Sequence, residues 1–162
     1  AGDTAGGRRV SEDLQRLEAW VAPLLQRLKP AERSRLARKV GTAVRRSQQK
    51  RIAGQQNPDG TPFARRRNAP ARRAKAGRIK RGAMFGKIRQ AKHLRVRGSA
   101  NEAAVGFAGR VSRIARIHQE GRTDSVSKGG PRVTYARRVL LGFTNADEQL
   151  IRELILDHLH TL

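Results

Sequence analysis

A glycine- and lysine-containing run, GAMFGK at residues 82–87, is the first place where residue types and spacing could do chemistry. A phosphate-binding loop has four residues between its two glycines and a Ser or Thr after the lysine, whose hydroxyl binds magnesium. Here three residues separate the glycines, and Ile88 follows the lysine. We therefore predict no nucleotide site in this run.

The histidines are the second group that could carry chemistry. His118 and Glu120 could form a base and its carboxylate partner, but no nucleophile is evident, and a hydrogen-bonded structural role is the commoner one for such a His. His158 and His160 are two residues apart, so on a helix they point to different faces and do not converge on a metal. We expect an exposed pair there. No carboxylate pair suggests acid–base work, and we expect neither an enzyme nor a cofactor.

Positive charge is the strongest signal in the composition. The 162 residues include 36 Lys and Arg against 13 Asp and Glu, giving a net charge of +23. Residues 33–97 hold 22 of these cations and one acid, Asp59, whereas the rest of the chain is nearly balanced. Such a stretch requires an acidic partner, which can be nucleic acid, a membrane surface or an acidic protein face.

The basic stretch has three interpretations. It can be a solvated surface, a nucleic-acid-binding surface that meets phosphates, or an assembly arm whose arginines meet carboxylates of neighbouring proteins. Aromatic residues are rare, which argues against single-strand binding by base stacking. No apolar run approaches the roughly 18 residues needed to span a bilayer. The chain has no cysteine and begins without the apolar core of a signal peptide, so we expect a soluble intracellular protein.

Two amphipathic helices are predicted near the N-terminus. Ser11 can cap a first helix over 12–28, where apolar residues recur at spacings of three and four, although Pro23 lies inside it. Pro30 can begin a second helix with one apolar face and a basic remainder. The turn-forming run Asn57-Pro58-Asp59-Gly60 ends this helix.

The segment that follows, up to Lys92, has little periodicity. Its cations are scattered among Ala and Gly, and few apolar residues could anchor it, so it cannot fold on its own. We predict an arm that is either flexible or orders on a partner. A β-hairpin is then indicated by the alternation at 93–97 and the apolar run at 104–108. A short helix closed by Gly121 follows it.

The C-terminal part adds a polar loop over 122–131, a short strand at 132–135 and a well-marked final helix. In that helix Asn145 is the expected N-cap and Glu148 the expected capping-box partner. The predicted fold class is α+β: two N-terminal helices, a basic extended arm, a small antiparallel sheet and a C-terminal helix.

The domain boundaries follow from these elements. We expect a disordered N-terminus at 1–10, a helical hairpin at 11–58, the basic arm at 59–92, and an α+β remainder of the same single domain at 93–162.

Taken together and in order, several runs resemble the phage virion morphogenesis family, the tail completion proteins of contractile-tailed temperate phages. The runs are RIAGQQNPDGTPFA at 51–64, MF at 84–85, VGF at 105–107, RIARIHQEG at 113–121 and YARRVLLGF at 135–143. The likeness extends over roughly residues 11–160. The family pattern tends to have a proline after the Phe-Ala pair, where this chain has Arg65.

The resemblance implies a structural virion protein at the head-proximal end of a tail, present in the host cytoplasm during assembly. It implies a homo-oligomeric ring, expected to be hexameric, that completes the tail and joins it to the head through contacts with tube, sheath and connector. A terminator ring and an adjacent adaptor ring both fit, as do an infectious phage and a tail-like bacteriocin. The alternative is a basic nucleic-acid-binding protein, and DNA in the ring channel is a further candidate partner.

We expect the arm to provide the partner-binding residues. Phe63, Met84 and Phe85 are the expected apolar anchors on a neighbour. The expected charge contacts are Arg65, Arg66, Arg67, Arg72 and Arg73.

Overall fold

The structure is a computed structural model that describes residues 4–66, 83–125 and 128–161. The elements within these ranges are α1 (Thr4–Leu25), α2 (Pro30–Ala53), β1 (Leu94–Gly98), β2 (Ala103–Phe107), α3 (Arg110–Glu120), β3 (Thr123–Ser125), β4 (Arg132–Thr134) and α4 (Asn145–His160). Strands β1 and β2 form one antiparallel pair, and β3 and β4 form another. The predicted α+β class is confirmed.

The first core lies between α1, α2 and α4. The apolar stripe of α2 supplies Leu36, Val40 and Val44, which pack with Leu17 of α1 and with Ile151 of α4. The spacing of four along α2 places its apolar side chains on one face, as the sequence pattern predicts. Among the described residues, no helix is both long and apolar enough to cross a membrane.

The start of α1 differs from the sequence-based expectation. The helix begins at Thr4, within the stretch expected to be disordered, rather than after Ser11. A helix already nucleated further along the chain extends by one hydrogen bond for each residue that it fixes, so a polar, Gly-rich sequence can continue it. Pro23 lies in the last turn of α1, and the helix ends at Leu25, close behind it.

The hairpin β1–β2 packs on α2. Leu94 and Val96 of β1 face the helix, and Val96 lies so close to Gly41 that a Cβ added there would be 2.5 Å from Val96 Cγ1. Glycine at this point of α2 therefore permits the close approach of strand and helix. The predicted hairpin is confirmed, with register pairs such as Val96↔Val105.

The C-terminal elements agree with the sequence pattern except at one cap. Gly121 ends α3 in the left-handed conformation, with φ at 66°, as predicted. The N-cap of α4 is Thr144 rather than Asn145, and its capping-box partner is Asp147 rather than Glu148. The expected polar loop also contains β3, which pairs with β4.

A second core lies at the far end of α2. Ile52 and Leu140 are fully buried there, together with Phe63 and Ala115. Residues partly buried against them are Met84, Phe85, Ile88 and Phe107. This cluster joins five segments of the chain, and each of them contains one of the five family-like runs.

Candidate functional site

The turn after α2 is built by its own side chains. Asp59 Oδ1 accepts hydrogen bonds from the backbone N–H of Thr61 at 2.9 Å and from its hydroxyl at 2.6 Å. These bonds favour the ionised carboxylate and hold the pKa of Asp59 below its usual value. Gly60 has φ at 84°, and its N–H donates to the carbonyl of Asn57. The predicted turn at 57–60 is confirmed.

Gln55 connects the two ends of the basic arm. Its carbonyl accepts from the N–H of Phe63 at 2.7 Å, just where the arm begins. Its side-chain amide donates to the carbonyl of Met84 at 3.0 Å and accepts from the N–H of Met84 at 2.7 Å, just where the arm returns. We call this part, residues 55–66 and 83–93, the arm root.

Aromatic rings fill the space beneath the arm root. Phe63 is only 5% exposed, and its ring meets that of Phe85 edge to face, with centroids 5.7 Å apart. Phe85 in turn contacts the ring of His118 at 4.9 Å, and His118 contacts Tyr135 at 5.1 Å. Burial and edge-to-face packing of these rings stabilise the attachment of both arm ends to α3 and to the segment before α4.

Arg138 holds the outgoing end of the arm. This residue is 4% exposed, and its guanidinium donates to the carbonyls of Ala64 at 2.7 Å and Arg65 at 2.9 Å. It also donates to Nδ1 of His118 at 3.2 Å. Nδ1 must be the acceptor of this hydrogen bond because a guanidinium group has no acceptor atom. Burial lowers the pKa of Arg138, and the nearby charge of Arg66 lowers it further.

His118 is a structural residue of α3 that packs against the arm root, in accord with the commoner of its two sequence-based interpretations. Burial lowers its pKa to about 4, and the positive charges of Arg138 and Arg66 act in the same direction. At neutral pH its imidazole is therefore uncharged. The tautomer with a proton on Nε2 leaves Nδ1 free to accept from Arg138.

A buried arginine on α2 holds the segment that precedes α4. Arg51 donates from Nη1 to the carbonyl of Val139 at 2.9 Å and from Nη2 to the carbonyl of Leu140 at 2.7 Å. The same guanidinium also reaches the carbonyl of Gln56 and Oε1 of Gln48. Burial lowers the pKa of Arg51, while the nearby carboxylate of Asp147 opposes this shift.

Gln119 and Asn57 complete the attachment of that segment. Oε1 of Gln119 accepts from the N–H groups of Leu140 and Leu141, and its amide N–H donates to the carbonyl of Leu141. Oδ1 of Asn57 accepts from the N–H of Val139 at 2.9 Å. Residues 139–141 belong to no strand, and side chains pair their buried backbone groups instead.

Pro58 contacts the glycine of the same segment. A Cβ added at Gly142 would lie 2.5 Å from Pro58 Cγ, so only glycine allows the turn to pack this closely. The run NPDG and the run YARRVLLGF are therefore the two sides of one contact.

The expected partner-binding residues lie in three different situations. Phe63, Met84 and Phe85, expected as anchors on a neighbour, pack within their own chain at the arm root. Arg65 and Arg66 are exposed at the point where the described part of the arm ends. The remaining three, Arg67, Arg72 and Arg73, lie outside the described residues.

Sequence reasoning missed Arg51, Gln119 and Arg138 as the residues that hold these segments together. A signal for one of them was present: Gln48 and Arg51 continue the buried face of α2 beyond Val44, at helical spacing. Polar residues on such a face mark a buried network when a partner satisfies them. No local pattern marks Gln119 or Arg138, whose partners are 21 and 74 residues away in the chain.

The described residues contain no group of three or more His, Asp or Glu side chains that could hold a metal. A groove of about 380 Å³ lies between α1, α2 and the tip of the β1–β2 hairpin, remote from the arm root. Its walls are mainly apolar, and its charged side chains are Arg33 and Glu102. His158, expected to be exposed, is largely buried, with Nε2 lying 3.6 Å from a carboxylate oxygen of Glu32.

Comparison with known proteins confirms the family resemblance seen in the sequence. The model of the phage virion morphogenesis family matches residues 12–160. The tail completion protein S of Escherichia phage P2 is 39% identical over 148 residues, which cover 91% of this chain and 97% of that protein. No solved structure gives a significant match.

Proposed function

The chain belongs to the phage virion morphogenesis family, and from this premise we propose that it is a structural protein of phage tail completion. In this proposal it forms a homo-oligomeric ring, hexameric in stoichiometry, at the head-proximal end of the tail. The ring completes the tail and makes it competent to join the head. The subunit acts in the virion after assembling in the host cytoplasm.

The arm root is the observation that carries the proposal beyond the family likeness. Gln55 fixes the outgoing end of the arm at Phe63 and the returning end at Met84, so both ends lie on one site of the body. The sixteen residues between the described ends, 67–82, contain seven cations and no acid. A positively charged segment whose two ends are held on a folded body is suited to contact a neighbouring subunit.

Arginines of the arm supply the contacts in this proposal. Their guanidinium groups bind carboxylates of neighbouring ring subunits, or of the tube, sheath and connector proteins, through charge-assisted hydrogen bonds. Arg65 and Arg66 are exposed in the described part of the chain, and the set continues along the sequence with Arg67, Arg72 and Arg73. The function rests on binding and requires no catalysis.

The apolar residues of the arm root influence partner binding by fixing the position of the arm. Phe63, Met84 and Phe85 attach the arm to its own subunit and so set where the arginines can reach. A segment whose two ends are fixed loses less conformational entropy on binding than one that is fixed at a single end. Partner contacts by the exposed parts of Met84 and Phe85 remain within the proposal, because both side chains are only partly buried.

The experiment replaces the seven cations of residues 67–82 by glutamine at constant length. A scrambled version of the same sixteen residues, which retains all seven charges, is the matched control. Each gene is expressed in cells carrying the phage with its own copy deleted. Tails are purified and imaged, and joined particles are counted.

We expect the neutralised protein to fold but to be absent from tails, whereas the scrambled protein enters them. Circular dichroism and thermal unfolding of the purified proteins check the fold. Normal tail completion by the neutralised protein would contradict the role given to the arm charges. A deletion of 61–90 is a poorer test than this one, since it would remove the buried Phe63.

A further inference from the structure

The outer face of the β1–β2 hairpin carries exposed cations that the arm does not include. Side chains alternate along β1, so that Leu94 and Val96 face the body while Arg95 and Arg97 are exposed. The residues paired with these arginines on β2 are Gly106 and Ala104. Both arginines are exposed, and their neighbours on β2 are small.

One further cation, Lys92, borders this face where the arm root ends. Lys92 is exposed just before β1, and its carbonyl accepts from Nε of Arg95. We name the three residues Lys92, Arg95 and Arg97 the hairpin patch. None of the ion pairs formed among the described residues involves a member of the patch.

The chemistry of the patch distinguishes between two kinds of partner. A protein interface is held by apolar or aromatic anchors that fill pockets, and the small residues Ala104 and Gly106 provide none. Binding of single-stranded nucleic acid uses aromatic rings on which bases stack, and these are also absent from the outward positions of both strands. Exposed cations with small residues between them fit the phosphate backbone of a duplex.

We propose that the hairpin patch binds the phosphate backbone of duplex DNA independently of base sequence. Arg95 and Arg97 are two residues apart on one strand, about 6.7 Å, so they can reach separate phosphates. A duplex carries one negative charge per roughly 1.7 Å of its axis, which is about four charges over that distance. The inference rests on the proposed function, because a ring at the head-proximal end of the tail would surround the path of the DNA.

The test measures how strongly salt weakens DNA binding by the purified full-length protein. A fluorescein-labelled 30-base-pair duplex of mixed sequence is the probe, and fluorescence anisotropy gives Kd between 50 and 200 mM NaCl. The variant is Arg95→Gln with Arg97→Gln. The control, Lys128→Gln with Arg132→Gln, removes the same charge from exposed positions in and beside β4.

Loss of two phosphate contacts should lower the slope of log K against log salt by about 1.8. Over this fourfold salt range, Kd of the unchanged protein should therefore rise about 12-fold more than Kd of the hairpin variant. The control should keep the original slope. The comparison between variants decides the result, because all other cations are common to them.

Three outcomes would overturn the inference. In the first, the hairpin variant keeps the original slope of log K against log salt. In the second, the control loses as much of that slope as the hairpin variant does. In the third, the hairpin variant loses binding to a purified tail protein and keeps its binding to DNA. Entry of the variant into tails is measured separately. Normal entry with weakened DNA binding supports both proposals, whereas unchanged DNA binding with failed entry rejects only the role of the patch in DNA binding.

Discussion

Replacement of Arg51 by methionine should destabilise the folded chain more than any exposed arginine substitution on α2. Arg51 is 9% exposed and donates to three backbone carbonyls and to Gln48. Methionine fills similar space but donates no hydrogen bond, so those acceptors lose their partner. It also removes a positive charge that interacts with the carboxylate of Asp147, which is 1% exposed.

The size of the effect follows from burial. Single hydrogen bonds to a charged group contribute about 1.5–3 kcal/mol, but they are not additive and the removed guanidinium regains hydration. Removal of one member of a buried charged network typically costs about 3–5 kcal/mol. We expect Arg51→Met to lower the free energy of unfolding by that amount, a large part of the roughly 5–15 kcal/mol that domains possess.

Urea denaturation followed by circular dichroism measures the change. With an m-value of about 2–2.5 kcal/mol per molar urea, the midpoint should fall by roughly 1–2.5 M. Arg46→Met is the matched control, because Arg46 is exposed on the same helix. Its effect should stay within about 0.5 kcal/mol. Arg51→Lys should lie between the two, since an ammonium retains the charge but not the planar fork of donors.

Equal midpoints for Arg51→Met and Arg46→Met would refute the reasoning. That result would mean that the segment before α4 is held by apolar packing alone. A lysine variant as unstable as the methionine variant would instead show that fork geometry matters and charge does not.

Two further predictions concern packing and pH. Gly41→Ala should destabilise the chain by about 1–3 kcal/mol, because the added methyl overlaps Val96 Cγ1. Val96→Ala in the same chain should restore part of that loss. Urea denaturation of the two single variants and of the double variant measures both effects. The pKa of His118 is about 4 in the folded chain and 6.5 ordinarily, so its contribution to stability is complete above pH 6.5 and is lost as pH falls towards 4. His118→Asn, which keeps an acceptor for Arg138, should flatten the urea midpoint over that pH window relative to the unchanged protein, and an identical pH profile would contradict the assignment.

The cap of α4 shows how tertiary contacts choose between two locally acceptable structures. Asn145 with Glu148 and Thr144 with Asp147 both have the spacing of a capping box. In the structure Oδ2 of Asp147 also accepts from the amide of Gln48 on α2. That additional contact is available only to the residue buried against α2, so the helix begins one position earlier than local sequence suggested.

The sequence alone determined the amphipathic helices, the hairpin and the left-handed end of α3 at Gly121. Each of these depends on spacing within a dozen or so residues, and periodic burial or a special backbone angle leaves a local mark. The positive charge of residues 33–97 was equally plain, because composition does not depend on folding.

Only the tertiary structure decided what the family-like runs do. Phe63 packs beside Phe85 and Leu140 in a core of its own chain, which no local pattern indicates, and its expected contact with a neighbour stays a prediction. Arg51 counted among the surface cations until the fold placed three carbonyls around it. The physical reason is that a side chain's role depends on what surrounds it, and here its surroundings come from segments up to about 90 residues away.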